Sequence, residues 1–235
     1  MIPKSIDFIL KSTVSKTFKC IVAANSLDID SEKKSIHHIK IDNINIPNDW
    51  NIGLIYGSSG SGKTTLAKHI FGDKCFNLEL DENKSIIDNL PESLTYDECS
   101  ALLNGIGLTS VPCWIRPIKT LSNGQRSRAE AVLLMLKNEL TIIDEWTSVV
   151  DRVVAKAMSF CIQKYAKRYK KQIILLSCHS DIVEWLKPDW IIDCNKQKFI
   201  LPKSPDFFLP QENQSNFQLE KLTEIHGNIL ANIII

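Results

Sequence analysis

Ile52-Gly53-Leu54-Ile55-Tyr56-Gly57-Ser58-Ser59-Gly60-Ser61-Gly62-Lys63-Thr64-Thr65-Leu66-Ala67-Lys68-His69-Ile70-Phe71 is the stretch whose reading decides the fold. Its first five residues form a short apolar run, the pattern of a buried strand. Gly57 to Thr64 matches G-x-x-x-x-G-K-[ST]. Glycines let backbone N–H groups converge on a phosphate without steric conflict. The residues from Thr64 to Phe71 read as a helix, whose N-terminus adds partial positive charge at the same point. Lys63 is placed to neutralise the β- and γ-phosphates, and Thr64 to offer its hydroxyl to Mg²⁺. Strand before and helix after distinguish this loop from a chance glycine-rich turn. The nucleotide-contacting stretch is therefore read as Gly57, Ser58, Ser59, Gly60, Ser61, Gly62, Lys63, Thr64 and Thr65. By itself the loop does not separate kinases, GTPases, helicases and transport ATPases.

Further along, Leu121-Ser122-Asn123-Gly124-Gln125-Arg126 opens a helix. Gln125 stands three residues after Ser122, the spacing of a capping box. Ala129, Val132, Leu133 and Leu136 then recur at helical spacing. Leu140-Thr141-Ile142-Ile143 is a buried-strand run that ends in two acids, Asp144 and Glu145. Asp144 suits a Mg²⁺ contact and Glu145 suits polarisation of an attacking water. Val150 to Lys170 reads as an amphipathic helix, and Ile173 to Ser177 as another buried strand. Strands alternating with helices predict an α/β fold with a mainly parallel sheet and flanking helices.

The ordered series resembles the ATP-binding-cassette ATPases. Gly57–Thr64 resembles their phosphate loop, Leu121–Gln125 their LSGGQ signature, and Ile142–Glu145 the strand bearing Asp and Glu. Thr147-Ser148-Val149-Val150-Asp151 resembles the D-loop that follows, and His179, after Ser177-Cys178, resembles the switch histidine. The resemblance covers roughly residues 35–200. It implies ATP and Mg²⁺ as ligands and two cassettes paired head to tail, the second being another copy or a paralogous subunit. It also implies that Ser122, Gly124 and Gln125 face nucleotide held on the partner's phosphate loop, with Asp151 beside it. Lys63, Glu145 and His179 would carry catalysis, and Thr64 and Asp144 the metal. A lone monomer would hydrolyse ATP poorly.

The sequence departs from that family in several places. Asn123 replaces a glycine of the signature, and Trp146 stands where proline commonly follows the two acids. No glutamine occurs between Thr65 and Leu121, so the family's metal-contacting glutamine is missing and Asn77 or Glu79 is left as a stand-in. Lys63 and Leu121 are 58 positions apart, which implies a shortened helical insert over residues 73–120. His37, His38 and Phe18 are candidates for stacking on adenine. Thr147–Arg152 and Ser177–Trp190 look most like the soluble bacterial and phage cassette ATPases fused to a predicted acetyltransferase. Only residues 201–235 follow the cassette, too few for that second fold.

Residues 1–50 read as an antiparallel β layer, with short runs at Phe18–Val22 and Ile39–Ile46. Residues 1–200 are expected to be one ATPase domain and 201–235 a tail. Apolar residues make up 44% of the chain, enough for a normal core, and net charge is +1, with no global pull toward nucleic acid. A basic cluster at Lys164, Lys167, Arg168, Lys170 and Lys171 leaves a local patch open. Seven scattered cysteines form no CxxC pair and are expected as reduced, mostly buried thiols of a cytoplasmic protein. No apolar run approaches the roughly 20 residues that span a bilayer. The leading expectation is a soluble ATPase acting as a conformational switch on a macromolecular partner. The ATP-binding subunit of a transporter, a DNA-associated ATPase of repair or phage defence, and a nucleotide-binding structural module are the alternatives.

Overall fold

The structure is a computed structural model and describes residues 3–11, 15–26, 36–73, 78 and 80–202. Asn77, Glu79 and the tail from residue 203 lie outside the described residues. The central sheet has five strands in the order β4 (Leu140–Ile143), β5 (Gln172–Ser177), β3 (Ile52–Tyr56), β6 (Trp190–Asp193) and β7 (Lys198–Ile200). The pairs β4/β5, β5/β3 and β3/β6 are parallel, and β7 closes the edge antiparallel to β6. A second sheet pairs β1 (Ile6–Lys11) antiparallel with β2 (Ile36–Ile41). This is the α/β architecture expected, with the antiparallel layer at the N-terminus.

Strand alternation sorts the core into two layers. On β5, Ile173 and Leu175 face one side, while Ile174 and Leu176 face the other. The first side is covered by α4 (Tyr96–Gly105), α6 (Asn123–Lys137) and α7 (Arg152–Tyr169), with Leu103, Val132 and Ile162 buried against it. The second side is covered by α2 (Lys63–Phe71) and the β1–β2 sheet, through Leu66, Ala67, Ile6, Ile39 and Ile41. Strands buried on both faces must be apolar throughout, which is why β5 reads as a continuous run. Gly53 faces the second layer in register with Trp190 of β6. A Cβ there would come within 2.1 Å of the Trp190 ring, so only glycine lets the indole lie against β3.

One sequence expectation fails here. Phe18-Lys19-Cys20-Ile21-Val22 begins a helix, α1 (Phe18–Ser26), and is no strand. Phe18, Ile21 and Val22 have the spacing i, i+3, i+4, which a helix places on one face, and Ala23-Ala24 extend it. That helix buries none of its residues. The insert over 73–120 is compact. It holds α3 (Ile86–Asn89), α4, α5 (Val111–Trp114) and a 3₁₀ turn at Ile118–Thr120. A Thr95–Glu98 capping box starts α4, and the buried Trp114 indole donates to the Leu108 carbonyl at 2.7 Å. The basic end of α7 is no uniform patch. Lys164, Arg168 and Lys171 edge a largely apolar groove of about 640 Å³ between α4, α6 and α7, and Lys171 pairs with Glu139 at 2.8 Å.

Candidate functional site

The loop Gly57–Gly62 leaves the carboxyl end of β3 and delivers the chain into α2. Gly60 and Gly62 both have positive φ, +77° and +83°. At Gly62 the requirement is double, since a Cβ would also meet the Ile39 Cδ1 at 2.6 Å. The β1–β2 sheet therefore presses directly on the loop. Gly62 forms the N-cap of α2 with no side-chain partner, so the first N–H groups of that helix are left for an anion. Lys63 is buried, and its ammonium is held over the loop by the carbonyls of Gly57 (2.9 Å) and Ser58 (3.0 Å). Three of the loop's N–H groups are already committed: Gly57 donates to the Ser177 carbonyl at 3.2 Å, Ser58 to Asn195 Oδ1 at 3.0 Å and Ser61 to the Ser58 carbonyl at 3.2 Å.

Parallel register brings the other motifs to the same sheet edge. Tyr56 pairs with Ser177 and Ile143 with Leu175, so Gly57, Asp144–Glu145 and Cys178–His179 all emerge at the carboxyl ends of adjacent strands. That edge is where open α/β sheets bind ligands. Thr64 Oγ1 donates to Asp144 Oδ2 at 2.7 Å, joining residues 80 apart in sequence. The pair is a hard-oxygen set of one hydroxyl and one carboxylate, which fits Mg²⁺ completed by phosphate oxygens and water. Among the described residues no group of three or more His, Cys, Asp or Glu could hold a metal alone.

Glu145 follows with its backbone at φ 51° and its side chain exposed; Thr147 follows at φ 68°. Positive φ in non-glycine residues costs energy and clusters at functional turns. The turn is held by Trp146, which is buried: its N–H donates to the Leu176 carbonyl at 2.8 Å and its indole to Ser159 at 3.4 Å. Trp146 thus replaces proline by anchoring the turn in the core. His179 is half-buried, its backbone N–H donating to Ser177 Oγ at 3.1 Å, with the Cys178 sulfur 3.7 and 3.8 Å from the ring nitrogens.

The signature residues are placed differently. Ser122 caps α6 through the Gln125 N–H, and Gln125 returns a bond to the Ser122 N–H at 3.1 Å, the capping box read from sequence. Gln125 also reaches Cys113 and Arg116, and Arg126 is paired with Glu82 and Glu130. Gly124 lies against the Val149 carbonyl, so the signature borders the D-loop. No hydrogen bond among the described residues joins Ser122–Gln125 to Gly57–Thr64. Asp151 caps α7 by accepting from the Val154 N–H at 2.9 Å, and Arg152 pairs with Asp181. Trp190 is fully buried, while Trp185 lies half-exposed beneath the Arg152 guanidinium at 5.1 Å. Of the six described cysteines only Cys99, Cys113 and Cys194 are buried, fewer than expected.

Of the adenine-stacking candidates, His37 is the one beside the loop, its Cδ2 3.7 Å from where a Gly62 Cβ would lie and its Nε2 buried without a partner. His38 is tied to Asp7 at 2.6 Å, and Phe18 stands exposed on α1. Sequence reasoning passed over Asn195, which touches the phosphate loop from the β6–β7 turn; an asparagine in a polar turn carries no signal of a partner 137 residues away.

No protein-family model matches the chain. An energy-coupling factor transporter ATP-binding protein, EcfA1, of Leuconostoc mesenteroides is 26% identical over 204 residues, 83% of this chain and 66% of that protein. The chain thus spans just under two thirds of that relative's length. The cytochrome c biogenesis ATP-binding export protein CcmA of Reclinomonas americana is 28% identical over 55% of this chain and 72% of its own. Among solved structures, CbiO1 from Clostridium perfringens, part of the transporter complex CbiONQ, superposes with a TM-score of 0.51 at 17% identity, covering 81% of this chain and 92% of that one. The chain has the P-loop fold of the ATP-binding-cassette ATPases and is similar in sequence to the two ATP-binding proteins just named. The expectation of such an ATPase is borne out at that level. The named relatives are ATP-binding proteins of transport and export systems, and none is fused to an acetyltransferase by its name.

Proposed function

We propose that residues 1–200 form one ATPase unit that binds ATP and Mg²⁺ at Gly57–Thr65 and hydrolyses ATP at the interface of a head-to-tail pair, as the ATP-binding subunit of a membrane transport system. The observation that carries the chemistry is the 2.7 Å bond between Thr64 and Asp144, with Glu145 and His179 on the same sheet edge. Thr64 and Asp144 would hold Mg²⁺, which supplies positive charge to the β- and γ-phosphates. Lys63 adds a buried cation fixed by the Gly57 and Ser58 carbonyls. Glu145 accepts a proton from the attacking water, and His179 orients it. His37 offers a ring to the base.

The signature supports the pairing. Ser122 and Gly124 stand apart from their own phosphate loop, at the N-terminus of a 15-residue helix whose partial positive charge suits a partner's γ-phosphate. Val149, against Gly124, is 50% exposed and Val153, four residues on, is 81% exposed, apolar surface that a second copy or a paralogous subunit would cover. The relatives favour transport over a soluble switch. Two observations keep the switch as a second reading: the insert over 73–120 is short, and residues 66–120 contain no glutamine. Residues 201–235 are read as a tail outside the ATPase unit.

The test measures ATPase activity against protein concentration for the wild type and Glu145→Gln, alone and in a detergent extract of the membranes of the cells that make it. Activity per molecule should rise with concentration, and the mutant should trap an ATP-bound dimer. Constant specific activity with a monomeric mutant refutes the shared site. Copurification with a membrane protein from detergent extract supports transport; full ATP-dependent dimerisation without any membrane partner leaves the soluble switch.

A further inference from the structure

The turn Cys194–Gln197 between β6 and β7 touches the nucleotide site at two places. Asn195 Oδ1 accepts two hydrogen bonds from Ser58 of the phosphate loop, one from its N–H and one from its hydroxyl, each at 3.0 Å. Two residues on, Gln197 grips β2 as a strand neighbour would. Its Oε1 accepts from the Lys40 N–H at 3.0 Å, and its Nε2 donates to the His38 carbonyl at 2.8 Å. Between those two β2 positions lies Ile39, whose side chain closes on Gly62. One four-residue turn therefore holds the beginning of the loop directly and its end through β2.

The turn is built to stay in place. Asp193 is buried, and its Oδ1 accepts from the N–H groups of Asn195 and Lys196, both at 3.0 Å. Its Oδ2 accepts the Tyr56 hydroxyl at 2.7 Å, so the turn is moored to the last residue of β3, next to Gly57. Cys194 N–H donates to the Tyr56 carbonyl at 2.8 Å. A side chain added at Gly57 would strike Cys194 and crowd Asn195, which shows how closely loop and turn are packed.

We propose that Asn195 is a positioning residue for nucleotide binding, acting through Ser58, within a clamp formed by the β6–β7 turn. The inference rests on the phosphate loop binding ATP. An N–H committed to Asn195 cannot also point at a phosphate. With Gly57 committed to Ser177 as well, the clamp sets where the phosphate cradle starts, at Ser59. Asn195 touches neither phosphate nor metal; it narrows the loop's conformations before nucleotide arrives, and preorganisation of this kind is read in affinity.

The test is equilibrium binding of a fluorescent ATP analogue with Mg²⁺, alongside steady-state ATPase kinetics and nucleotide-free melting, for wild type, Asn195→Ala, Asn195→Asp, Ser58→Ala and Asn195→Ala/Ser58→Ala. Losing two hydrogen bonds at an exposed site, each at the low end of the usual range, should weaken binding about fivefold in Asn195→Ala. KM should rise with Kd while kcat stays within about twofold, because the groups at the γ-phosphate are untouched. Ser58→Ala should cost little more in the Asn195→Ala background, since the hydroxyl's acceptor is already gone. Asn195→Asp keeps the acceptor and adds a charge, so its weaker binding should recover as salt rises, whereas that of Asn195→Ala should not. Wild-type affinity in Asn195→Ala, or additive losses in the double variant, overturns the clamp. A fall in kcat and nucleotide-free melting without a change in Kd makes Asn195 structural and also overturns it. Wild-type protein that binds no nucleotide defeats the underlying reading instead. Should Asn195→Ala not fold, Ser58→Ala and Asn195→Asp decide the question alone.

Discussion

Gly62→Ala together with Ile39→Val separates two costs that meet at one position of the phosphate loop. Gly62 has φ 83° and ψ 16°, a left-handed conformation that an L-residue adopts at a cost of about 1–2 kcal/mol. The new Cβ would also lie 2.6 Å from Ile39 Cδ1. That methyl ends a flexible side chain, so the contact adds about 1 kcal/mol, the lower end for overpacking. Gly62→Ala should therefore destabilise by about 2–3 kcal/mol, lowering Tm by about 5–10 °C in a domain of this size. Ile39→Val removes the offending Cδ1 and by itself costs about 1 kcal/mol. In the double variant the steric part vanishes and the backbone part remains. The two changes should then fall short of additivity by about 1 kcal/mol. Thermal and denaturant unfolding of the four proteins without nucleotide measure this cycle. Strict additivity, or a Gly62→Ala protein within about 0.5 kcal/mol of wild type, would refute the claim that the β1–β2 sheet bears on the loop.

Lys63→Ala should abolish measurable ATP binding at micromolar nucleotide while leaving the fold intact by circular dichroism. Asp144→Asn should weaken the Mg²⁺ dependence of binding far more than binding of free ATP, which a metal titration at fixed nucleotide would show. Tyr56 has its pKa raised above 10, by burial first and by the Asp193 bond second. The native state then holds its proton more tightly than the unfolded chain, so this stabilisation is complete below pH 10 and lost as pH climbs through the folded value. Tyr56→Phe should flatten that alkaline decline in denaturant midpoints. Burial pushes the Cys194 thiol up to about 12, so at pH 8 a thiol reagent should modify Cys20 and Cys178 quickly and Cys194 only on unfolding, as peptide mapping would resolve.

Much of the site was legible because its parts are local. The Ser122 capping box, the apolar run of β5 and the glycine pattern of Gly57–Thr64 each depend on neighbours a few residues away, and each is found as read. Phe18–Val22 misled because a short apolar run fits a strand as well as a helix until its spacing is checked over a longer window. The insert over 73–120 could be measured by length but not shaped, since α3, α5 and the 3₁₀ turn are short and held by burial of Trp114 and Ile118 rather than by propensity. The bulk of Trp146 pointed to packing on the D-loop or a partner, but not to its burial in the core, because anchoring the turn after Asp144 depends on Leu176 and Ser159 in other elements.

The linear order of residues settled which groups this protein has for its chemistry: a phosphate loop, a helix-capping signature, two acids at a strand end and a histidine after the next strand. Those depend on bonding within one turn of chain, where spacing alone decides geometry. Tertiary structure decided which of them meet. Thr64 reaches Asp144 across 80 residues and Ser58 reaches Asn195 across 137 because β3 lies between β5 and β6 in a parallel sheet. Strand order is set by how two apolar layers pack on opposite faces, and no stretch of the sequence carries that information by itself.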